Sequence, residues 1–384
     1  MTALDEFHQD LRRGLDRLEE KGRLRSLRVA QKGLDFASND YLSLNSSGRL
    51  LSLMQKAATD WDGVVGSTGS RLLRGHHESF EIAEEEFATF CGTESSLLFH
   101  SGYAANVGVI QQFISSEDTV FCDRLCHATI LDGIRMSGAR RFYFHHNDLD
   151  HLRDIMRKRE RKGRSWIITE SIFSMDGDSP DLHSLVDLAE EEDALLYLDE
   201  AHALGVVGST GAGLAHSLGL SRRVAVLVFP CGKGPGLMGA FVCGSKMLRE
   251  SMINSCRSFI FSTAQPPFLA HLLSLVFREI SGMNVERKHL SFLSRQLREG
   301  LHSMNLDFGK STSHIVPVIL GSEEDAMRWM NSLALCGIDA RAIRPPSVPE
   351  GSSRIRVNLH AGHSVTDVEC LLKELYSLLP VGVR

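Results

Sequence analysis

Lys233 stands in a glycine turn, Gly232-Lys-Gly234, between two apolar runs that read as strands, Val226–Phe229 and Ala240–Cys243. An ammonium there has no helix face to lie on and little room to reach water. Desolvation lowers a lysine's pKa and frees its amine for Schiff-base chemistry. The competing reading is an ordinary lysine in a surface turn. A second apolar run, Ala194-Leu-Leu-Tyr-Leu198, ends abruptly in Asp199, with His202 three residues on. Such a run suits a parallel strand buried on both faces, and ligands of open α/β sheets lie outside the carboxyl ends of the strands. Alone, Asp199 reads as a helix cap. A lysine with a carboxylate partner is what pyridoxal phosphate requires, the amine for its aldehyde and the acid for its ring nitrogen. The phosphate then needs a cradle. Ser95–Asn106 reads as strand, Ser101-Gly102-Tyr103 turn and helix, and the N–H groups opening a helix bind phosphate unaided. Ser101 could equally be a plain cap.

The elements that must position these groups alternate along the chain. Strands are expected at Ser96–Phe99, Thr119–Cys122, Arg140–Phe144, Ser165–Thr169, Leu195–Leu198, Val226–Phe229 and Ala240–Cys243, separated by segments of helical period such as Ala104–Ile114 and Leu182–Glu192. This predicts a doubly wound α/β domain with a mostly parallel seven-stranded sheet and helices on both faces. Pro266-Pro267 breaks the alternation. A long helical region over about 268–304 follows, then two strand–helix units around Ile315–Leu320 and Ile355–Leu359, a smaller C-terminal α/β domain. Residues 1–30 read as one amphipathic helix. The expected division is 1–49, an N-terminal helix and extended segment; 50–267, the large domain; and 268–384, the long helix and small domain. Gly63–Gly75, rich in glycine and serine, has the character of a binding loop.

A net charge of −6 argues against general nucleic-acid binding, and the run Arg157–Arg164 reads as a solvated helix end. No segment carries the apolar run of about twenty residues that a membrane span needs. Met1-Thr-Ala-Leu-Asp-Glu-Phe7 is not a secretory signal. Eight irregularly spaced cysteines without a CxxC suit reduced thiols in a cytoplasmic protein. Cys122, Cys126 and His127 lack a second ligand pair, so no metal is expected.

Six motifs together resemble the α-oxoamine synthases, pyridoxal-phosphate enzymes of fold type I: Ser38–Leu44, Gly66–Arg71, Asp123–His127, Thr169–Asp178, Asp199–His202 and Gly232–Gly234. The likeness spans almost the whole chain. Within the family, Arg344-Pro-Pro-Ser-Val-Pro349 is most similar to the branch that condenses L-alanine with a pimeloyl thioester, carried by CoA or acyl carrier protein, in biotin formation. The resemblance implies that Lys233 carries the cofactor and moves a proton, and that Asp199 pairs with the ring nitrogen. It implies that His202 meets the phenolic oxygen or a substrate carbonyl and that His127 stacks on the ring. Ser174 touches the cofactor, and Gly102 and Tyr103 meet its phosphate. Ser262 and Thr263 reach the phosphate of a neighbouring subunit in a homodimer. Arg25 and Ser347 contact the acyl substrate, and Arg356 takes the amino-acid carboxylate, with Arg344 and Arg354 as alternatives. Related activities with glycine or serine and other acyl-CoA donors, a plain aminotransferase and a non-catalytic scaffold are the other readings. One position departs from the family: Pro230 stands where a threonine hydroxyl usually helps hold the phosphate.

Overall fold

The structure, a computed structural model, describes residues 1–27, 29–30, 32–158 and 163–380. The chain forms two compact units, Met1–Gly33 and Leu34–Arg384. In the first, a helix runs from Ala3 to Glu20 behind a capping box in which Thr2 and Asp5 bond reciprocally. Leu4, Phe7, Leu11, Leu15 and Leu18 form an exposed apolar stripe along it. The helix stops at Glu20, well short of the expected residue 30, because Gly22 takes a left-handed φ of 61°.

In the second unit, the short strand β1 (Leu34–Asp35) precedes seven strands that form one sheet: β2 (Ser95–Phe99), β3 (Thr119–Asp123), β4 (Arg140–Phe144), β5 (Ser165–Glu170), β6 (Ala194–Asp199), β7 (Val226–Pro230) and β8 (Ala240–Gly244). Their order is β2-β8-β7-β6-β5-β3-β4, and only β8 runs antiparallel to its neighbours. The fold is therefore the expected one, a mostly parallel seven-stranded sheet. Successive residues of the central strands enter different cores. Leu196, Leu198, Leu227 and Phe229 pack on one face of the sheet, while Tyr197, Val226 and Val228 pack on the other. Burial on both faces is why these strands are continuous apolar runs without polar alternation.

A second, antiparallel sheet is built from β9 (Ile315–Gly321), β11 (Arg341–Ile343) and β12 (Ser353–Asn358), in the order β11-β12-β9, while β10 (Ile338–Asp339) pairs in parallel with β1. Helices Asn284–Ser303 and Val365–Ser377 pack against its core. The helical region expected over 268–304 is two helices, Pro267–Gly282 and Asn284–Ser303. Arg287, near the start of the second helix, reaches back across the break: its Nη1 donates to the Ile280 carbonyl at 2.7 Å, capping the first helix. Of the basic run Arg157–Arg164, residues 159–162 lie outside the described residues; Arg157 and Lys158 end a helix and pair with Glu192 and Asp154. Among the described residues no helix is long and apolar enough to cross a membrane.

Candidate active site

The carboxyl ends of β2, β5, β6 and β7 and the loop after β3 converge on one cavity of about 430 Å³. Its walls include Lys233, Asp199, His127, His202, Glu170, Gly102, Tyr103, Asn106, Asn39 and Pro230. Lys233 lies in the β7–β8 connection, where its carbonyl accepts from Gly236 N–H at 2.8 Å. Gly234 is required beside it: a Cβ there would come within 2.4 Å of the Leu204 carbonyl oxygen. That close approach ties the lysine loop to the loop carrying His202. Among the described residues the Lys233 side-chain amine has no hydrogen-bond or ion-pair partner. Burial lowers its pKa, opposed by the charges of Asp199 and Glu170.

Asp199, the last residue of β6, is held from two sides. Asn106 Nδ2 donates to its Oδ2 at 2.8 Å, and Ala201 N–H donates to its Oδ1 at 2.8 Å. Asn106 is oriented in turn by the Tyr197 hydroxyl, which donates to its Oδ1 at 2.7 Å. Glu170 ends β5 directly opposite Asp199 in register and accepts from His127 N–H at 2.5 Å. Burial and the adjacent Asp199 carboxylate push Glu170 up to about 8. Neither Asn106 nor Glu170 was singled out as a site residue from the sequence. The only available signal was that Glu170 closes an apolar strand as Asp199 does.

The two histidines differ in support. His127 caps the helix Ala128–Ser137, its Nδ1 accepting from Thr129 N–H, and burial together with the Lys233 charge lowers its pKa. His202 is buried, its Nδ1 lies 2.6 Å from the Tyr41 hydroxyl, and desolvation drives its pKa far down. Ser101 caps the helix Gly102–Phe113 by accepting from Ala104 N–H. Gly102 abuts Pro230: a Cβ at 102 would lie 2.9 Å from Pro230 Cγ.

The arginines separate cleanly. Arg354 is neutralised by Asp176 at 2.6 Å. Arg344 faces Glu323 at 3.8 Å. Arg356 is buried, and among the described residues it has no carboxylate partner. Its Nε donates to the Ser174 carbonyl at 2.5 Å, and Nη1 and Nη2 donate to Asn39 Oδ1 at 3.2 Å each. Ser174 thus meets Arg356 through its backbone and is not part of the cavity wall. Ser347 is exposed and apart from the cavity. Ser262 and Thr263 lie beside Arg71 and Phe80, also outside it. Arg25 belongs to the N-terminal unit and is exposed. His146, in the turn after β4, is only 14% exposed and clamped between Asp123 and Asp178 at 3.1 and 2.9 Å.

The donor set fits a pyridoxal-phosphate ring. It comprises a partnerless amine, a carboxylate fixed by two N–H donors, a helix N-terminus and two neutral imidazoles around one cavity. Residues 31–375 match the family of class I and II aminotransferases. An 8-amino-7-oxononanoate synthase of Cellvibrio japonicus is 41% identical over 89% of this chain and 85% of that protein. Another from Gluconacetobacter diazotrophicus is 39% identical over 97% and 95%. Among solved structures, serine palmitoyltransferase of Sphingomonas wittichii is similar with a TM-score of 0.88 at 26% identity, covering 98% of both chains. The 8-amino-7-oxononanoate synthase of Francisella tularensis reaches 0.78 at 28% identity, covering 90% of this chain and 97% of that one.

Proposed function

Because the chain belongs to the class I and II aminotransferase family and, within it, to the pyridoxal-phosphate-dependent α-oxoamine synthases, we propose that it condenses L-alanine with a pimeloyl thioester, releasing carbon dioxide and thiol to give 8-amino-7-oxononanoate. The observation that carries the reading is the meeting of Lys233 and Asp199 in one cavity at the carboxyl ends of the strands. Relatives of 41% and 39% identity point to L-alanine and the pimeloyl group, whereas the serine palmitoyltransferase likeness is at 26%.

Bound pyridoxal phosphate supplies an aldehyde for amines and a ring that stores the electron pair left when a proton departs. The Lys233 amine would hold that aldehyde and, when free in the cavity, would take the substrate's α-proton; burial lowers its pKa, which favours the neutral amine that a base needs. Asp199, its two oxygens fixed by Asn106 and Ala201, keeps the ring nitrogen protonated. The helix N-terminus at Gly102 and Tyr103 holds the phosphate. His127 would cover the ring, and His202 would meet the phenolic oxygen or the thioester carbonyl.

Arg356 is the carboxylate site. A buried guanidinium without an anion is costly, and a planar carboxylate offers the bidentate partner that Asn39 cannot. Asp176 already satisfies Arg354, which favours Arg356 of the two arginines on one strand face. The enzyme acts as a homodimer in the cytoplasm. Val64, Val65, Leu72 and Leu73 of the glycine-rich loop and Phe261 expose apolar surface suited to a second copy, which would bring Ser262 and Thr263 to its phosphate. Arg25 and Ser347 serve the acyl substrate. Product analysis tests the reading: mass spectrometry after incubation with L-alanine and pimeloyl-CoA or pimeloyl-acyl carrier protein, beside glycine and serine with acetyl-, succinyl- and palmitoyl-CoA. Turnover confined to the glycine or serine pairs overturns it.

A further inference from the structure

His202 turns one ring nitrogen into the protein and leaves the other to the cavity. Nδ1 lies 2.6 Å from the Tyr41 hydroxyl, while Nε2 has no partner among the described residues and the ring lines the cavity. A neutral imidazole carries one ring proton, and the partner of the first nitrogen decides what the second offers. Burial and the nearby cations Lys233 and Arg356 keep His202 neutral.

Tyr41 has one hydroxyl hydrogen and two acceptors within reach, His202 Nδ1 at 2.6 Å and Asn39 Oδ1 at 2.8 Å. Asn39 Oδ1 is already engaged by Arg356 Nη1 and Nη2 at 3.2 Å and by Asn358 Nδ2 at 3.4 Å. An amide oxygen has two lone pairs, and charged guanidinium donors outcompete a neutral phenol for them. The same donors fix the amide's orientation, because a flipped Asn39 would set its NH₂ against the guanidinium. The phenol hydrogen is therefore directed to His202. Tyr41 is fully buried and packed edge-on against His314 at 4.0 Å between ring centroids, so it has no room to turn away. Burial pushes its pKa to about 12, so it stays a donor at neutral pH.

We propose that Tyr41 is a positioning residue that places the single ring proton of His202 on Nε2, so that the cavity receives an N–H donor rather than a lone pair. The oxygen that takes this hydrogen bond, phenolate or thioester carbonyl, rests on the function proposed above; the proton's position does not. A donor at Nε2 stabilises negative charge on either oxygen, whereas the other tautomer would repel it.

The test is the ring ¹⁵N spectrum of the full-length, histidine-labelled protein, as holoenzyme and after cofactor removal, with His202→Gln assigning the signal. The wild type is expected to show an Nε2–H pattern for His202 in both states. Tyr41→Phe, which keeps the ring and its packing, is expected to lose that preference. Its kcat should fall about tenfold with KM for the amino acid within about twofold, the split of an interaction made mainly in the transition state. An Nδ1–H wild type, or an unchanged pattern in Tyr41→Phe, overturns the proposal. The wild-type spectrum decides alone if the variant does not fold. A chain that makes no 8-amino-7-oxononanoate but shows the tautomer change refutes the function and leaves this role standing.

Discussion

Two histidines at the carboxyl end of the sheet sit in opposite environments. His202 meets a phenol and is surrounded by Lys233, Arg356 and other imidazoles, and burial keeps it neutral. His146 meets two carboxylates, Asp123 at the end of β3 and Asp178 in the loop after β5, and their pull overcomes burial and raises its pKa to about 9. The first arrangement leaves polar groups underused around an open space. The second uses every charge to fasten two loops together, and Asn147 Nδ2 adds a further bond to Asp178. The difference separates chemistry from scaffolding: groups left without partners face the cavity, and fully paired groups hold its walls.

Substitutions in the cavity should therefore cost activity with little stability, and those at the staple the reverse. The largest effect belongs to Lys233→Ala. It should lower kcat by at least about 10³-fold and abolish borohydride trapping of cofactor, with melting unchanged or improved, since a desolvated cation is removed. Trapping at another lysine, or a large loss of melting temperature, would break the comparison. Arg356→Gln comes next. Losing a charge-assisted bidentate contact should weaken use of the amino acid by roughly 10²-fold in kcat/KM, with Arg356→Lys recovering only part, whereas Arg354→Gln should act mainly on stability. Steady-state kinetics against amino-acid concentration separates the two.

His146→Gln should leave kcat within about twofold and cost about 2 kcal/mol of stability at pH 7. Folding raises the pKa of His146, so its contribution is complete below the unfolded value of about 6.5 and is lost as pH climbs through 9. Chemical denaturation of both proteins from pH 6 to 10 should show the gap closing on the alkaline side; a constant gap would mean that packing, not charge, holds the loops. The smallest effect is expected from Pro230→Thr. A hydroxyl restored beside Gly102 should tighten pyridoxal phosphate up to about tenfold, a gain of roughly 1.4 kcal/mol, measured by equilibrium dialysis. Unchanged affinity would mean that the backbone at Gly102 and Tyr103 already saturates the phosphate.

The strands were legible almost to the residue, because a strand buried on both faces must be apolar throughout and must stop where a polar group is wanted. Asp199 marks such a stop, and Lys233 declares itself by sitting among glycines. What the sequence hid was contact across distance. Tyr41 lies 161 residues from His202, and Asn106 lies 93 from Asp199. No local period signals either pair. Arg354 and Arg356 look alike on one strand face until Asp176, from a different sheet's loop, claims the first. The N-terminal helix fell short of its expected end because a single left-handed glycine overrode a favourable composition.

The Gly102–Pro230 contact carries a consequence for how this chain can drift under selection. With only a hydrogen between the helix start and the proline ring, position 102 is not free to change alone. Alanine at 102 would collide with Pro230 Cγ, whereas a smaller or more flexible residue at 230 would first loosen the turn and only then admit a methyl group. The order of substitutions is thereby constrained: position 230 must move before position 102, and the two form a one-way step in sequence space rather than two independent sites.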